Sequence, residues 1–227
     1  MTINILFLAA NPKDIVPLRL GEEVRAIQEK LRASEHRDNF KIEQEWAVRV
    51  SDIQGHLLRH KPHIMHFSGH GSAVGEIVLE DQFGASNPVT ASALRKLFTT
   101  LKDNIRCVVL NACFSQIQAN AIAESIECVV GMSNTLSDEA AILFASSFYQ
   151  ALGFGRSIQT SFDLASLEIE LHRLDQHNTP KLIANPSVDP KTIYLIESTH
   201  INSEAAGGSS KTLRPLDLTR DNPTIDI

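Results

Sequence analysis

The stretch IRCVVLNACFS (residues 105–115) joins a continuous apolar run to a polar turn that carries a cysteine. Such a run is typical of a strand covered on both faces, as in a parallel sheet. A second stretch of this kind, IMHFSGHGS (residues 64–72), leads into a histidine between two glycines. Ligands of open α/β sheets bind at the carboxyl ends of the strands. The two stretches therefore predict an α/β fold with Cys113 and His70 at one edge of its sheet.

Strand-like and helix-like patterns alternate on both sides of these stretches, up to about residue 196. The predicted strands cover residues 3–10, 40–48, 64–67, 105–110, 128–132, 181–184 and 192–196, with a hairpin at 76–80 and 88–90. The predicted helices cover about 20–31, a turn or two before 60, 91–101 after a Thr90 cap, 115–126, 138–152 after a Ser137 cap, and 156–174. This alternation implies a three-layer sandwich in which helices flank a mainly parallel central sheet.

Composition bounds the class of function. The chain has 227 residues, of which 43% are hydrophobic and 21% charged, as expected for one globular domain with a short appendage. A net charge of −6 and a pI near 5.8 argue against non-specific binding to nucleic acid or to an anionic membrane. No apolar run reaches the roughly 18–20 residues of a membrane span. The N-terminal stretch lacks a basic region, so no signal peptide is predicted.

The chain has three cysteines, Cys107, Cys113 and Cys128. An odd number in a chain without a predicted secretion signal indicates reduced thiols and a cytoplasmic location. Cys107 and Cys128 lie inside apolar strands, and we expect them to be inert core residues. Residues 201–227 contain Gly-Gly-Ser-Ser and no periodicity. They are predicted to form a flexible tail or linker after a domain that spans residues 1–200.

Cys113 has the sequence surroundings of a nucleophile. It precedes a predicted helix, whose N-terminal N–H groups favour a thiolate. The imidazole of His70 could take up the thiol proton and later protonate a leaving amine. A zinc site at His66, His70 and Cys113 is disfavoured, because four residues of strand span roughly 13 Å. The chain has no Gly-x-Gly-x-x-Gly and no Walker lysine, so neither a metal nor a cofactor is predicted.

Six further polar residues receive a structural interpretation. The helical spacing of Leu20, Val24, Ile27 and Leu31 places Glu23 on another, exposed face of the first helix. His66 alternates toward the core of its strand, which predicts a buried, hydrogen-bonded histidine. We expect His56, His60 and His63 at the surface. Asn111 either orients a loop by hydrogen bonds or ends its strand.

Several segments resemble one family of proteins. They are ILFLAANP (5–12), LRLGEEVRAIQEKL (18–31), HFSGHG (66–71), VVLNAC (108–113) and VVGMSNTLSDEAAILFASSFYQALGFGRS (129–157). In this order they resemble the CHAT subgroup of the caspase-like clan of cysteine peptidases, over about residues 2–196. The caspase signature is Gln-Ala-Cys-x-Gly with a histidine roughly 50 residues upstream. This chain keeps Ala112-Cys113, with His70 upstream, but lacks the Gln and the Gly.

The resemblance implies a cysteine endopeptidase in which Cys113 is the nucleophile and His70 the general base. It also implies an oxyanion hole formed by the backbone amides of Gly71 and Cys113. In relatives such as separase, the loop after the fifth strand carries an acidic residue that receives a substrate arginine. Here that loop contains Ser133 and Thr135, which we expect to contact the substrate without a strict preference for arginine or lysine.

The resemblance also suggests a biological setting. CHAT chains are typically linked to recognition or signalling modules in bacterial defence and programmed-death systems. A protein or peptide substrate is therefore expected, together with a sensor or activator protein or a C-terminal fused module. Two other functions fit the same pattern: a catalytically silent caspase-like scaffold, and an α/β domain that binds a nucleotide signal at the same sheet edge.

Overall fold

A computed structural model of the protein describes residues 1–196, through which strands and helices alternate. In chain order they are β1 (Ile3–Ala10), α1 (Leu20–Arg32), β2 (Phe40–Trp46), α2 (Ile53–His60), β3 (Ile64–Gly71), β4 (Ile77–Glu80), β5 (Ser86–Val89), α3 (Ala91–Thr100), β6 (Cys107–Asn111), α4 (Gln116–Ala123), β7 (Cys128–Met132), α5 (Asp138–Gly153), α6 (Ile158–Leu171) and β8 (Pro180–Ala184). The predicted domain boundary near residue 200 and the tail at 201–227 lie outside the described residues.

Six strands form the central sheet in the order β2-β1-β3-β6-β7-β8. The first five are parallel, and β8 pairs antiparallel with β7 at one edge. β4 and β5 form a hairpin that pairs with the end of β3, where His70 lies opposite Val78. The predicted mainly parallel sheet and the predicted hairpin are thus confirmed.

The first strand shows how both faces of the sheet are covered. Ile3, Ile5 and Phe7 of β1 pack on one face with α1, α5 and α6. Leu6 and Leu8 pack on the other face with α2, α3 and α4. Because alternate residues of a strand face opposite sides, helices on both sides require a continuous apolar run. The predicted three-layer arrangement is confirmed.

Helix starts are fixed by polar caps. The side-chain oxygens of Thr90, Ser137 and Ser157 each accept a hydrogen bond from the backbone N–H three residues later. A cap of this type stabilises a helix by about 1 kcal/mol. Within residues 1–196, no helix combines the length and the apolar character needed to cross a bilayer.

Two predicted strands differ from the structure. Residues 192–196 form bends instead of a strand. The carbonyl of Ile193 there accepts a hydrogen bond from the first turn of α6, and that of Tyr194 accepts one from Arg106, so the sheet does not use them. The strand predicted at 64–67 continues to Gly71, because β4 supplies hydrogen-bonding partners beyond the parallel part of the sheet.

Candidate active site

His70 lies in the last part of β3, where the strand leaves the parallel sheet and pairs with β4. Its ring is half-buried, and Nε2 lies 2.9 Å from the backbone oxygen of Val16. A carbonyl oxygen can only accept a hydrogen bond, so this contact places the proton on Nε2 and leaves Nδ1 with a lone pair. Val16 belongs to the segment between β1 and α1, and the sequence did not single it out.

Cys113 lies in the turn between β6 and α4. The next residue, Phe114, has φ of +57°, which is uncommon for a residue with a side chain and occurs at functional turns. Ser115 is fully buried and fixes this turn: its hydroxyl donates to the Leu110 carbonyl at 2.9 Å and accepts from the Met132 N–H at 3.0 Å. The turn that presents the sulfur is therefore tied to the ends of both β6 and β7.

The backbones of the two segments touch at Gly71. A Cβ atom on Gly71 would lie 1.8 Å from the carbonyl oxygen of Cys113 and 3.1 Å from its nitrogen. Only glycine fits at this position, because any side chain would overlap the backbone of Cys113. The Ser72 N–H donates a hydrogen bond to the Glu76 carbonyl of the hairpin. Along an antiparallel pair of strands, hydrogen-bonded residue pairs alternate with pairs that are not hydrogen-bonded, so Gly71, next to Ser72, belongs to a pair without these bonds. The Gly71 N–H therefore faces away from β4.

One small cavity, of about 50 Å³, is lined by both His70 and Cys113. It opens at the carboxyl edge of β3 and β6, as the two sequence stretches predict. The other lining side chains are of both kinds. Six are apolar, namely Leu18, Leu20, Ala112, Leu136, Ala141 and Ile142, and five are polar or charged, namely Arg19, Glu23, Ser68, Asn111 and Asp138. The cavity therefore brings the thiol and the imidazole together at a partly polar site.

The loop after β7 contacts the sulfur through Leu136. The Leu136 N–H lies 3.4 Å from Sγ of Cys113, and Sγ lies 3.9 Å from the Leu136 carbonyl oxygen, so this residue holds the sulfur through its backbone. Ser133 instead bonds the backbone of Thr179, and Thr135 is exposed. Neither of these two side chains lines the cavity. Their expected contact with substrate stays a prediction.

Glu23 forms the polar floor of the same cavity. Its side chain is buried, so the expected exposed position was wrong. Oε1 accepts hydrogen bonds from Nε2 of His66 at 2.8 Å and from Nδ2 of Asn111 at 2.7 Å, and Oε2 accepts one from the Ser68 hydroxyl. The signal was present in the sequence, because Glu23 follows Leu20 by three positions and so shares its face of α1.

The expectations for His66 and Asn111 can now be compared with the structure. His66 is fully buried, with its second ring nitrogen 3.1 Å from the hydroxyl of Tyr149, so the prediction of a hydrogen-bonded core histidine is confirmed. Asn111 donates to Glu23 and to the carbonyl of Ala141. Asn111 is also the last residue of β6, and its hydrogen bonds reach two helices, α1 and α5, instead of a loop.

The other two cysteines lie in the core as predicted. Cys107 and Cys128 are fully buried register partners on β6 and β7. Burial, followed by the nearby Cys128, raises the pKa of the Cys107 thiol well above its usual range. Burial, followed by the Glu127 carboxylate, raises the pKa of Cys128 to about 12. Both thiols are protonated near neutral pH, whereas Cys113 is partly accessible.

The three remaining histidines of this region are not simple surface residues, in contrast to the expectation. His56 and His60 are mostly buried beside Glu45, with Nε2 of His60 2.7 Å from Oε1 of that carboxylate. His63 accepts a hydrogen bond from the Asn4 N–H. Burial, followed by the Arg106 charge, lowers the pKa of His63.

Comparison with known proteins identifies the family of this chain. The CHAT domain family matches residues 17–181, well over half of the chain, and the matched region contains both His70 and Cys113. The chain belongs to the CHAT domain family. The predicted assignment to a caspase-like cysteine peptidase family of the CHAT type is therefore confirmed.

Two relatives of this CHAT chain carry protease names. A probable protease from Gillisia limnaea is 25% identical over 197 residues, which are 80% of this chain and 35% of the relative. A Roc-COR-CHAT protease from an unknown prokaryotic organism is 24% identical over 198 residues, which are 81% of this chain and 19% of the relative. The CHAT chain thus spans about a third and a fifth of the length of these curated relatives.

Solved structures share the fold of the CHAT chain. A secreted C11 cysteine protease from Bacteroides thetaiotaomicron, bound to an irreversible peptide inhibitor, gives a TM-score of 0.61 at 9% identity, over 82% of this chain and 67% of that one. The Arg-specific cysteine proteinase gingipain R gives a TM-score of 0.57 at 10% identity, over 82% of this chain and 46% of that one. Caspase-1 from Spodoptera frugiperda gives a TM-score of 0.53 at 10% identity, over 81% of this chain and 86% of that one. The predicted caspase-like fold class is confirmed.

Proposed function

We propose that this CHAT chain is a cysteine endopeptidase domain that uses a dyad of Cys113 and His70. The observation that carries the proposal is the shared cavity: both side chains line it, at the carboxyl edge of two adjacent parallel strands. The hydrogen bond between His70 and the Val16 carbonyl supports it, because it keeps the proton on Nε2 and leaves Nδ1 able to act as a base.

The proposed reaction follows from these groups. Nδ1 of His70 takes up the thiol proton, and the Cys113 sulfur attacks the carbonyl carbon of the scissile peptide bond. When the tetrahedral intermediate collapses, the C–N bond breaks and the imidazolium gives its proton to the leaving amine. Water then hydrolyses the thioester with His70 again acting as the base, which releases the acid and regenerates the free thiol.

Backbone amides would stabilise the oxyanion of that intermediate. The N–H groups of Gly71 and Cys113 belong to backbone segments in contact with each other, and the Gly71 N–H faces away from β4. Among the described residues, the Cys113 N–H has no hydrogen-bond acceptor. Each oxyanion donor of this type lowers the activation barrier by about 3–4 kcal/mol.

The cellular role extends beyond this domain. The segments that match this chain make up 35% and 19% of the two relatives, and one relative is named for Roc, COR and CHAT modules together. We therefore assign the chain a role as the proteolytic effector of a larger defence or programmed-death signalling system. Its substrate would be a protein or peptide, and a sensor, activator or fused module would control it. The free cysteines suit a reducing compartment such as the cytoplasm.

Labelling with an electrophilic peptide probe tests the proposal. A peptide acyloxymethyl ketone is expected to modify the folded protein once per chain, at Cys113, and Cys113→Ala and His70→Ala are expected to abolish labelling. Cys107→Ala and Cys128→Ala are matched controls that should still be labelled. Labelling that persists in Cys113→Ala would refute the dyad.

The two other functions predict different results. A silent scaffold requires Cys113→Ala to keep full cellular activity, with no peptide turnover in the unmodified protein. A nucleotide-binding domain requires a nucleotide to raise the Tm of both the unmodified protein and His70→Ala. Peptide turnover that depends on both Cys113 and His70 would exclude these two functions.

A further inference from the structure

Three potential metal ligands meet at the β2 edge of the sheet, on residues that do not line the dyad cavity. Oε1 of Glu45 lies 3.2 Å from Nδ1 of His56 and 2.7 Å from Nε2 of His60, and the three atoms all lie within 4.8 Å of one another. Glu45 is in β2, and the two histidines lie one turn apart on α2, so both project from the same helix face.

One of these atoms has no partner. Nδ1 of His56 is inaccessible to solvent and makes no hydrogen bond to the described residues, although Oε1 of Glu45 lies 3.2 Å away. Buried polar atoms without partners are rare in folded proteins, and a nitrogen of this kind often binds an ion or a water molecule. A cation between the three side chains would satisfy this nitrogen.

We propose that Glu45, His56 and His60 bind a divalent transition metal, zinc being the best match. Two imidazoles and one carboxylate with a fourth position open to water are a recurrent zinc ligand set. Ligand atoms around tetrahedral zinc lie about 3.3 Å apart, given bonds of roughly 2.0–2.1 Å. The separation between Oε1 of Glu45 and Nδ1 of His56 already matches, Nε2 of His60 lies closer to Oε1, and the two ring nitrogens lie within 4.8 Å of each other.

The position of the cluster suggests what the metal would do. β2 is an edge strand, held on one side only by β1, and α2 follows it after a short loop. A metal bound by both elements would fix the edge strand to the helix and raise the stability of the fold.

The test uses zinc alone, on metal-free protein carrying Cys113→Ala, because the thiol and imidazole of the dyad could themselves bind zinc. Calorimetric titration is expected to give one zinc per chain, with a dissociation constant on the order of micromolar or tighter. Added zinc should also raise the Tm. Glu45→Gln, His56→Gln and His60→Gln should each weaken binding by at least about tenfold.

A matched control is His172→Ala, which removes an exposed histidine that also lies beside a glutamate, Glu168. It should bind zinc as the parent does. Binding unchanged in His56→Gln and His60→Gln, or no stoichiometric zinc in the parent, would overturn the metal site. The three Gln variants are read in parallel and each is checked for a native circular dichroism spectrum, so that one misfolded variant does not decide the result.

A separate observation concerns Glu23, and this inference rests on the proposed peptidase function. Ser68 and Asn111 are register partners on β3 and β6, and each lies two residues before a member of the dyad. The buried Glu23 carboxylate accepts hydrogen bonds from both side chains and so joins the ends of the two strands. We infer that Glu23 is a positioning residue that sets the separation of His70 and Cys113.

Glu23→Gln tests this role, because it keeps the size of the side chain but presents one fewer oxygen to the three donors. We expect the rate of Cys113 alkylation by iodoacetamide at pH 7 to fall by at least about tenfold. The kcat for a peptide substrate should fall similarly while KM changes little. Tyr149→Phe is the matched control: it removes the other partner of His66 but touches neither strand end, and should leave both rates unchanged.

Alkylation separates this inference from the proposed function, because it needs no peptide turnover. Slower alkylation in Glu23→Gln without any turnover by the unmodified protein would refute the peptidase and keep the positioning role. Unchanged alkylation in Glu23→Gln, or an equal loss in Tyr149→Phe, would refute the positioning role. Glu23→Asp, which keeps the charge but shortens the side chain, provides a second variant if Glu23→Gln does not fold.

Discussion

The backbone oxygen of Val16 lies 2.9 Å from Nε2 of His70, so a loop outside the sheet orients the proposed catalytic imidazole. Val16 is followed by Pro17, and a residue before proline is restricted to extended conformations. The proline therefore limits the directions in which this carbonyl can point. The same contact predicts which substitutions in the loop change activity.

Pro17→Ala is expected to lower kcat by about two- to fivefold. Without the proline the loop can adopt more backbone conformations, and restricting it again to the one that orients His70 requires roughly 0.4–1 kcal/mol. Val16→Ala is the matched control. It changes an exposed side chain but keeps the carbonyl, so kcat should stay within experimental error. Steady-state kinetics on a fluorogenic peptide provides the measurement, and an equal loss in both variants would contradict the role of the backbone bond.

Thiol reactivity should be confined to Cys113. At pH 8, a thiol with a pKa of about 12, as for Cys128, is ionised in only about one molecule in 10⁴. Mass spectrometry after brief iodoacetamide treatment should therefore find the label at Cys113 in folded protein and at all three cysteines in urea. Rapid modification of Cys107 or Cys128 in the folded state would contradict this assignment.

Stability should fall in alkaline solution. Burial raises the pKa of Cys128 from 9.0 to about 12 and raises that of Cys107 as well, so the folded state holds protons that the unfolded state releases. The contribution of these thiols to the free energy of unfolding is fully present below pH 9, and it is lost as the pH rises from 9 toward 12. Urea unfolding at pH 8 and pH 10.5 measures this fall in the free energy of unfolding. The double variant Cys107→Ala/Cys128→Ala should show a smaller fall between the two pH values.

Gly71→Ala should abolish peptidase activity. The added Cβ would overlap the Cys113 carbonyl oxygen at 1.8 Å, so the contact between the two segments could not form. Gly55→Ala is the matched control, because nothing lies within 4 Å of its added Cβ. In the interior of α2, that change should stabilise the protein by about 0.5–1 kcal/mol without loss of activity. Thermal unfolding and peptide turnover measure both effects, and an active Gly71→Ala would contradict the close approach.

Ser115→Ala should destabilise the protein by about 1–3 kcal/mol, because it leaves the Leu110 carbonyl and the Met132 N–H without their buried partner. Ser161→Ala provides the control. The Ser161 hydroxyl is equally buried but has no partner among the described residues, so its removal should be neutral or stabilising. Urea unfolding distinguishes the two variants, and equal effects would refute the role of Ser115 in fixing the turn.

Much of the fold could be predicted because it depends on local patterns. The apolar run of β1 predicts a strand covered on both faces, and the polar residues that follow the apolar parts of β3 and β6 predict that His70 and Cys113 meet at one edge. Residues 192–196 show the limit of such patterns. Their short apolar run is compatible with a strand, but their carbonyls bond to α6 and Arg106 instead.

The sequence by itself determined the α/β class and the candidate dyad, because apolar periodicity and the end of a strand are properties of neighbouring residues. The family followed from the resemblance of five ordered segments to CHAT chains, which the family match confirms. Only the tertiary structure decided the partners of the dyad: the Val16 carbonyl that orients His70 and the Glu23 carboxylate that joins the two strands. These contacts link residues 54 and 88 positions apart. Packing of α1 and its preceding loop against the sheet brings such residues together, and no local pattern encodes it.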